Sequence, residues 1–183
     1  MTVGFHELIV GDTVDFKGPL GSFIWEGKGN IRWKDVPRSG IRHIGLICGG
    51  SGITPILQVL RTVLDDEEDT ETQLYLLNVN RTETDILCRD ELEALHGLHG
   101  HGSPAITGER KAQIRVNYTL SRPSPQWPFS TGRINDAMLE AHMPPPSGDA
   151  VILTCGPEPM IQHTVKPGLT RLGWDISKSL VVF

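Results

Sequence analysis

The chain has 183 residues, 38% of them apolar and 6% aromatic, enough for one large domain or one domain with part of a second. Its net charge is 17 − 22 = −5, which gives a nucleic-acid partner no electrostatic support. No apolar run approaches the ~18–20 residues of a membrane helix, and MTVGFHELIVGD lacks the basic segment and long apolar core of a signal peptide. Three scattered cysteines, Cys48, Cys88 and Cys155, argue against a disulfide framework or a zinc ribbon and favour a reducing, cytoplasmic setting.

In chain order, residues 1–27 alternate or cluster apolar residues around the turn signal KGPLG and are expected to be β-structure. Residues 28–42, polar and rich in Gly and basic side chains, are expected to be a linker. From residue 43 the rhythm becomes strand, turn, helix, repeated. HIGLIC is a buried strand. The helix after it is expected to start with Thr54 as N-cap and Pro55 at its first position, and Ile53, Ile56, Leu57, Leu60, Val63 and Leu64 form an apolar stripe. DDEEDTET is expected to be a solvated loop. QLYLLNVN is the second strand and TDILCRDELEAL the next helix, capped by Thr84 or Asp85. IRVNYTL, DAVILTC and SLVVF complete five strands, with a Gly- and His-containing loop at 96–112, a Pro-rich loop at 121–131 and helices at GRINDAMLEAHM and GPEPMIQHTVKPGLTRLG.

Short apolar strands alternating with amphipathic helices imply a parallel sheet covered on both faces. Ligands of such sheets bind outside the carboxyl ends of the strands. Three segments fall there. In GGSGITP, the missing side chains at Gly49, Gly50 and Gly52 let a ligand approach the backbone, and free amides at a helix start attract phosphate. An ordinary tight turn would use the same residues. In CGPEPM, Cys155 is open to three readings: a small buried hydrophobe, a thiolate nucleophile with His163 as base, or a group that packs against a flat cofactor ring. In YTLSRPSPQW, Ser121 and Arg122 could meet a ribose or its 2′-phosphate, or belong to a solvated loop. The histidines His96, His99 and His101 lack a second ligand group at a known spacing, and no metal site is expected.

GDTVDFKGPLGSF, ICGGSGITPILQVLR, NVNRTETDILCRDELE, CGPEPMIQ and the terminal VVF together resemble the cytochrome b5 reductase family within the ferredoxin–NADP reductase superfamily. The wording is most similar to the C-terminal flavin reductase portion of fungal assimilatory nitrate reductase. The resemblance implies an α/β fold. A five-stranded parallel nucleotide-binding domain, residues 43–183, would follow residues 1–27 as the remnant of an antiparallel FAD-binding β-barrel. It implies that NAD(P)H passes a hydride to FAD, and that electrons then go singly to a b-type haem domain. In the parent enzyme, expected to be a homodimer, a molybdenum centre would reduce nitrate to nitrite. The haem and molybdenum domains lie outside this chain.

By the same resemblance, Gly49, Gly50, Ser51 and Gly52 approach the pyridine nucleotide and Thr54 faces the flavin. Cys155, Gly156 and Pro157 flank the nicotinamide, with Cys155 aligning it for hydride transfer, and Met160 packs nearby. Phe183 shields the flavin, and Thr2 contacts its pyrophosphate. The R-x-Y-[ST]-P flavin motif of the family is missing, so an N-terminally truncated reductase is expected. NADH-preferring relatives often carry Asp where Ser121 stands, so the resemblance implies use of NADPH in preference to NADH. The alternatives are a stand-alone cytochrome b5 reductase, a catalytically silent nucleotide-binding fragment and a thiol enzyme built on Cys155.

Overall fold

The computed structural model describes residues 8–15, 17, 21–100 and 112–183. A three-stranded antiparallel sheet comes first: β1 (Phe23–Gly27), β2 (Asn30–Trp33) and β3 (Val36–Arg38). Lys28 and Gly29, then Lys34 and Asp35, take positive φ in the two intervening turns, the twist that two-residue hairpins require. Residues 28–42, expected as a linker, therefore hold two strands. Their polar, Gly-containing composition is that of tight turns, which a reading by composition alone merges into one loop. The connection to the second sheet is residues 39–42. It is pinned by hydrogen bonds from Ile41 N to the Gly29 carbonyl (2.9 Å) and Arg42 N to the Asp149 carbonyl (2.8 Å).

The second sheet holds six parallel strands among the described residues: β4 (His43–Gly49), β5 (Gln73–Asn80), β6 (Gln113–Leu120), β7 (Ser130–Thr131), β8 (Ala150–Cys155) and β9 (Leu180–Val182). Their order is β7-β6-β5-β4-β8-β9. Five were expected. The sixth, β7, is two residues of the Pro-rich loop paired with Thr119 and Leu120, too short to show any alternation in sequence.

Helices cover both faces. On one, α1 (Ile53–Leu64) and α2 (Arg89–His99) pack over a cluster that includes Leu46, Cys48, Ile56, Leu60, Leu76 and Leu92. Phe23, Trp25 and Trp33 of the small sheet lean on the same cluster, so the two sheets share a core. On the other face, α3 (Asp136–His142) and α4 (Glu158–Met160), which continues through a π turn at Ile161–Val165 into α5 (Lys166–Arg171), cover Ile47, Leu77, Ile152 and Trp174. A last turn, α6 (Ile176–Ser179), leads into β9.

Several local expectations change. The residue before α1 is Gly52, and Pro55 stands third in the helix, where its missing N–H is one of the unpaired first-turn donors anyway. The Thr54 hydroxyl instead donates to the Ser51 carbonyl (3.0 Å). The second helix begins at Arg89, not at residue 85. Before it, Thr82 and Asp85 form a capping box around the short 3₁₀ turn Glu83–Asp85, and Cys88 breaks the chain with φ 55°. The acidic stretch after α1 is partly structural. Asp69 is buried and accepts hydrogen bonds from the Thr72 amide (2.9 Å) and hydroxyl (2.6 Å). No helix among the described residues is long and apolar enough to cross a membrane.

Candidate functional site

The strand order reverses at β4: β5, β6 and β7 run off to one side, β8 and β9 to the other. Loops from the two sides diverge at such a point and leave a crevice above the carboxyl ends. Here the crevice is an open cleft of about 1190 Å³. That exceeds the roughly 300–1,000 Å³ of most small-molecule pockets and suits an extended ligand. Its walls are the turns that end β4, β5, β6, β7 and β8.

Gly49, Gly50, Ser121, Arg122, Pro157 and Met160, all expected at a binding site, line this cleft. Ser51, Gly52, Thr54, Cys155, Gly156 and Phe183, expected there too, are not in its lining. Thr2 and His101 lie outside the described residues. His96 and His99 occupy the last turn of α2, and no cluster of potential metal ligands occurs among the described residues.

The glycines of GGSGITP divide their roles. Gly50 adopts φ +55° with open space where a side chain would be, so its surface faces the cleft free of any Cβ. Gly52 is buried, and a Cβ on it would overlap the carbonyl of Cys155. That glycine is demanded by the protein itself, because the turns after β4 and β8 pack backbone to backbone. Gly156 completes the contact: a Cβ there would sit 2.8 Å from the Met160 Cε and 3.0 Å from the Gly49 amide nitrogen.

Cys155 is half-buried at the end of β8, in register with fully buried Cys48 of β4. Burial raises both thiols above their ordinary range, Cys48 far more than Cys155. A thiol held protonated is a poor nucleophile and a sound packing surface. Phe183 stands at the edge of the same region. Its amide donates to the Thr154 carbonyl (3.0 Å), and its ring meets Phe23 edge to face at 6.2 Å.

The far end of the cleft is basic. The Ser121 and Arg122 amides donate to the carbonyls of Asn80 (3.1 Å) and Arg81 (2.8 Å), which extends the β5–β6 pairing beyond the strands and fixes both turns. Arg81, Arg122 and Arg133 line the cleft. Neither Arg122 nor Arg133 has a carboxylate partner among the described residues. The acidic residue in the lining is Asp85. Hydrogen bonds from the Thr82 hydroxyl (2.7 Å) and amide (2.9 Å) hold its carboxyl below the usual range and keep it within its own turn.

Sequence reasoning missed Arg81, Arg133 and Thr164 as lining residues, and weighed His163 only as a base for Cys155. Arg81 was within reach, since it follows β5 as Ser121 follows β6. Arg133 had no signal, because a two-residue strand brings it into place. His163 and Thr164 enter the lining from the π turn. Pro167, which has no N–H for the His163 carbonyl four residues earlier, stands two residues past the end of that turn.

A parallel sheet with a crevice at its switch point, a glycine turn and a basic rim is the arrangement in which doubly wound α/β domains bind dinucleotides. The chain belongs to the oxidoreductase NAD-binding domain family, whose model matches residues 46–166. It is 40% identical over 175 residues to the chicken (Gallus gallus) NADH-cytochrome b5 reductase 2, covering 93% of this chain and 54% of that one. It is 36% identical over 184 residues to Arabidopsis thaliana nitrate reductase [NADH] 1, covering all of this chain and 19% of that one. In three dimensions it matches the crystal structure of the cytochrome b5 reductase domain of Ulva prolifera nitrate reductase at TM-score 0.84 and 33% identity, over 97% of this chain and 61% of that one. The chain thus spans about half the length of the cytochrome b5 reductase it matches.

Proposed function

We propose that this chain docks NAD(P)H, with NADPH favoured, in a reductase that passes a hydride to FAD and electrons onward to a b-type haem, supporting nitrate reduction to nitrite in the whole protein. The observation that carries the NADPH preference is Ser121 among Arg81, Arg122 and Arg133 at the cleft end. A 2′-phosphate placed there gains charge-assisted hydrogen bonds, and no carboxylate follows β6 to repel it. In this reading residues 43–183 are the nucleotide domain. The small sheet, extended by β2 and β3, belongs to the flavin-binding unit with residues 1–27. The relatives named for NADH support the class of reaction; the preference rests on this chain's own rim.

The chain's residues have distinct parts. The basic rim and Ser121 bind the adenosine end. The backbone of Gly49 and Gly50 lets the ligand lie flat across the switch point. Cys155, with Gly156 and Pro157, sets the height and tilt of the nicotinamide, and Met160 closes its apolar side against water. Hydride transfer needs no acid or base at the ring, only alignment. FAD, when bound, supplies the two-electron acceptor that releases electrons singly. Thr54, Phe183 and Thr2 would contact it. The ring of Phe183, 42% exposed and braced on Phe23, offers a fitting aromatic edge.

The test is ferricyanide reduction by the purified chain with added FAD, with NADPH and NADH in parallel. Turnover that requires FAD and favours NADPH is expected. Nucleotide binding without turnover in any flavin would instead mark a silent binding fragment. A second reading, a stand-alone cytochrome b5 reductase, is favoured by the 40% identity to the chicken enzyme. Reduction of added cytochrome b5 at a rate matching ferricyanide would select it.

Cys155 carries its own prediction. Cys155→Ala should lower kcat about 10- to 100-fold, as small misplacements of reacting groups do, with KM for NADPH nearly unchanged. Steady-state kinetics with both nucleotides checks this; a large rise in KM alone would make Cys155 a simple binding contact.

A further inference from the structure

We propose that Cys48 and Cys155 form a reversible oxidation site, two neighbouring thiols that hydrogen peroxide joins into a disulfide across the ends of β4 and β8. The two residues are direct partners in the parallel pairing of these strands. Adjacent strands lie about 4.8 Å apart, inside the roughly 4.4–6.8 Å that Cα atoms span in a disulfide. Both side chains leave the sheet on one face, since both pack into the core cluster under α1. The preceding residue, Ile47, belongs to the cluster on the opposite face, as strand alternation requires.

The third cysteine, Cys88, is exposed and lies outside the sheet, before α2. Access is asymmetric: Cys48 is sealed, whereas Cys155 is only partly buried at the end of β8. Peroxide therefore meets Cys155 first. The Cys155 sulfur attacks the peroxide O–O bond, giving a sulfenic acid and one water, the thiol proton leaving with that water. The Cys48 sulfur then attacks the sulfenic sulfur. The S–S bond forms, the S–O bond breaks, and hydroxide departs with the Cys48 proton as a second water. Two thiols and one peroxide become one disulfide and two waters, two electrons passing from sulfur to oxygen. Because burial holds both thiols protonated, the pair reacts slowly and stays reduced in the absence of excess peroxide.

A disulfide draws the Cβ atoms to about 3.8 Å, closer than the strand spacing sets them. The strand ends shift, and with them the tightly packed backbone of Gly49, Gly52 and Gly156. The effect on turnover rests on the reductase reading above; the crosslink does not.

The experiment treats the wild-type chain, Cys88→Ser and Cys48→Ala with hydrogen peroxide, blocks free thiols, and maps unreduced peptides by mass spectrometry. A Cys48–Cys155 linked peptide is expected in the first two and not in the third, removable by dithiothreitol. NADPH–ferricyanide turnover should fall in step with the linked fraction and return on reduction. Sulfinic acid at Cys155 beside a free Cys48 thiol, or links made only through Cys88, would overturn the proposal. A chain silent before oxidation counts against the reductase reading, and the peptide masses alone then decide the thiol pair.

Discussion

Ser121→Asp should swing the NADPH/NADH ratio of kcat/KM toward NADH by about 10- to 100-fold. Losing favourable contact with a 2′-phosphate and adding repulsion is worth ~1.5–3 kcal/mol, and each 1.4 kcal/mol is tenfold. The new carboxylate would also accept a hydrogen bond from the 2′-hydroxyl of NADH. The site is well placed for this exchange. Ser121 is exposed at the cleft, its amide is held by the Asn80 carbonyl, and the next residue is held by Arg81, so the backbone will keep the new side chain in position. Arg133→Ser should lower kcat/KM for NADPH about tenfold and leave NADH nearly unaffected, because a rim arginine with no carboxylate partner among the described residues is left to act on the phosphate. An unchanged ratio in Ser121→Asp would remove the 2′-phosphate assignment.

Gly52→Ala should destabilise the fold by about 3 kcal/mol, lowering Tm by roughly 10 °C in a chain of this size. The added methyl would meet the carbonyl carbon and oxygen of Cys155 and the Gly156 amide nitrogen, all backbone atoms that no rotamer change can move. Relief requires parting the turns after β4 and β8, and those turns shape the nicotinamide end of the cleft. Gly50→Ala is the informative control. There the methyl meets nothing within 4 Å, and the cost is confined to holding alanine at φ +55°, about 1 kcal/mol. Urea denaturation of the two variants separates crowding from backbone strain. Equal stability losses would mean that the strand-end turns do not hold each other.

Much of the frame was legible because it obeys local rules. HIGLIC, QLYLLNVN, IRVNYTL and DAVILTC are runs too apolar for a one-sided sheet, and each was read as a strand. The stripe from Ile53 to Leu64 turned up as the buried face of α1, because a 3.6-residue period survives burial. That Gly49, Gly50, Ser121, Arg122 and Pro157 line a cleft at the carboxyl edge of the sheet followed from one topological rule, that loops diverge there at the switch in strand order.

What sequence alone determined is the longer strands and helices, their alternation and hence a parallel α/β sheet, since these depend on side-chain periodicity and turn chemistry within a few residues. What only the tertiary structure decided is which distant residues meet. The hairpins inside the supposed linker, the two-residue strand that delivers Arg133, and the π turn that brings in His163 and Thr164 have no periodic signature. Gly52, expected to let a ligand approach, also holds a contact between two turns about a hundred residues apart. Cys48 and Cys155 became neighbours by strand order. Such pairings arise from packing between segments that share no local pattern, so their chemistry appears only when the chain is folded.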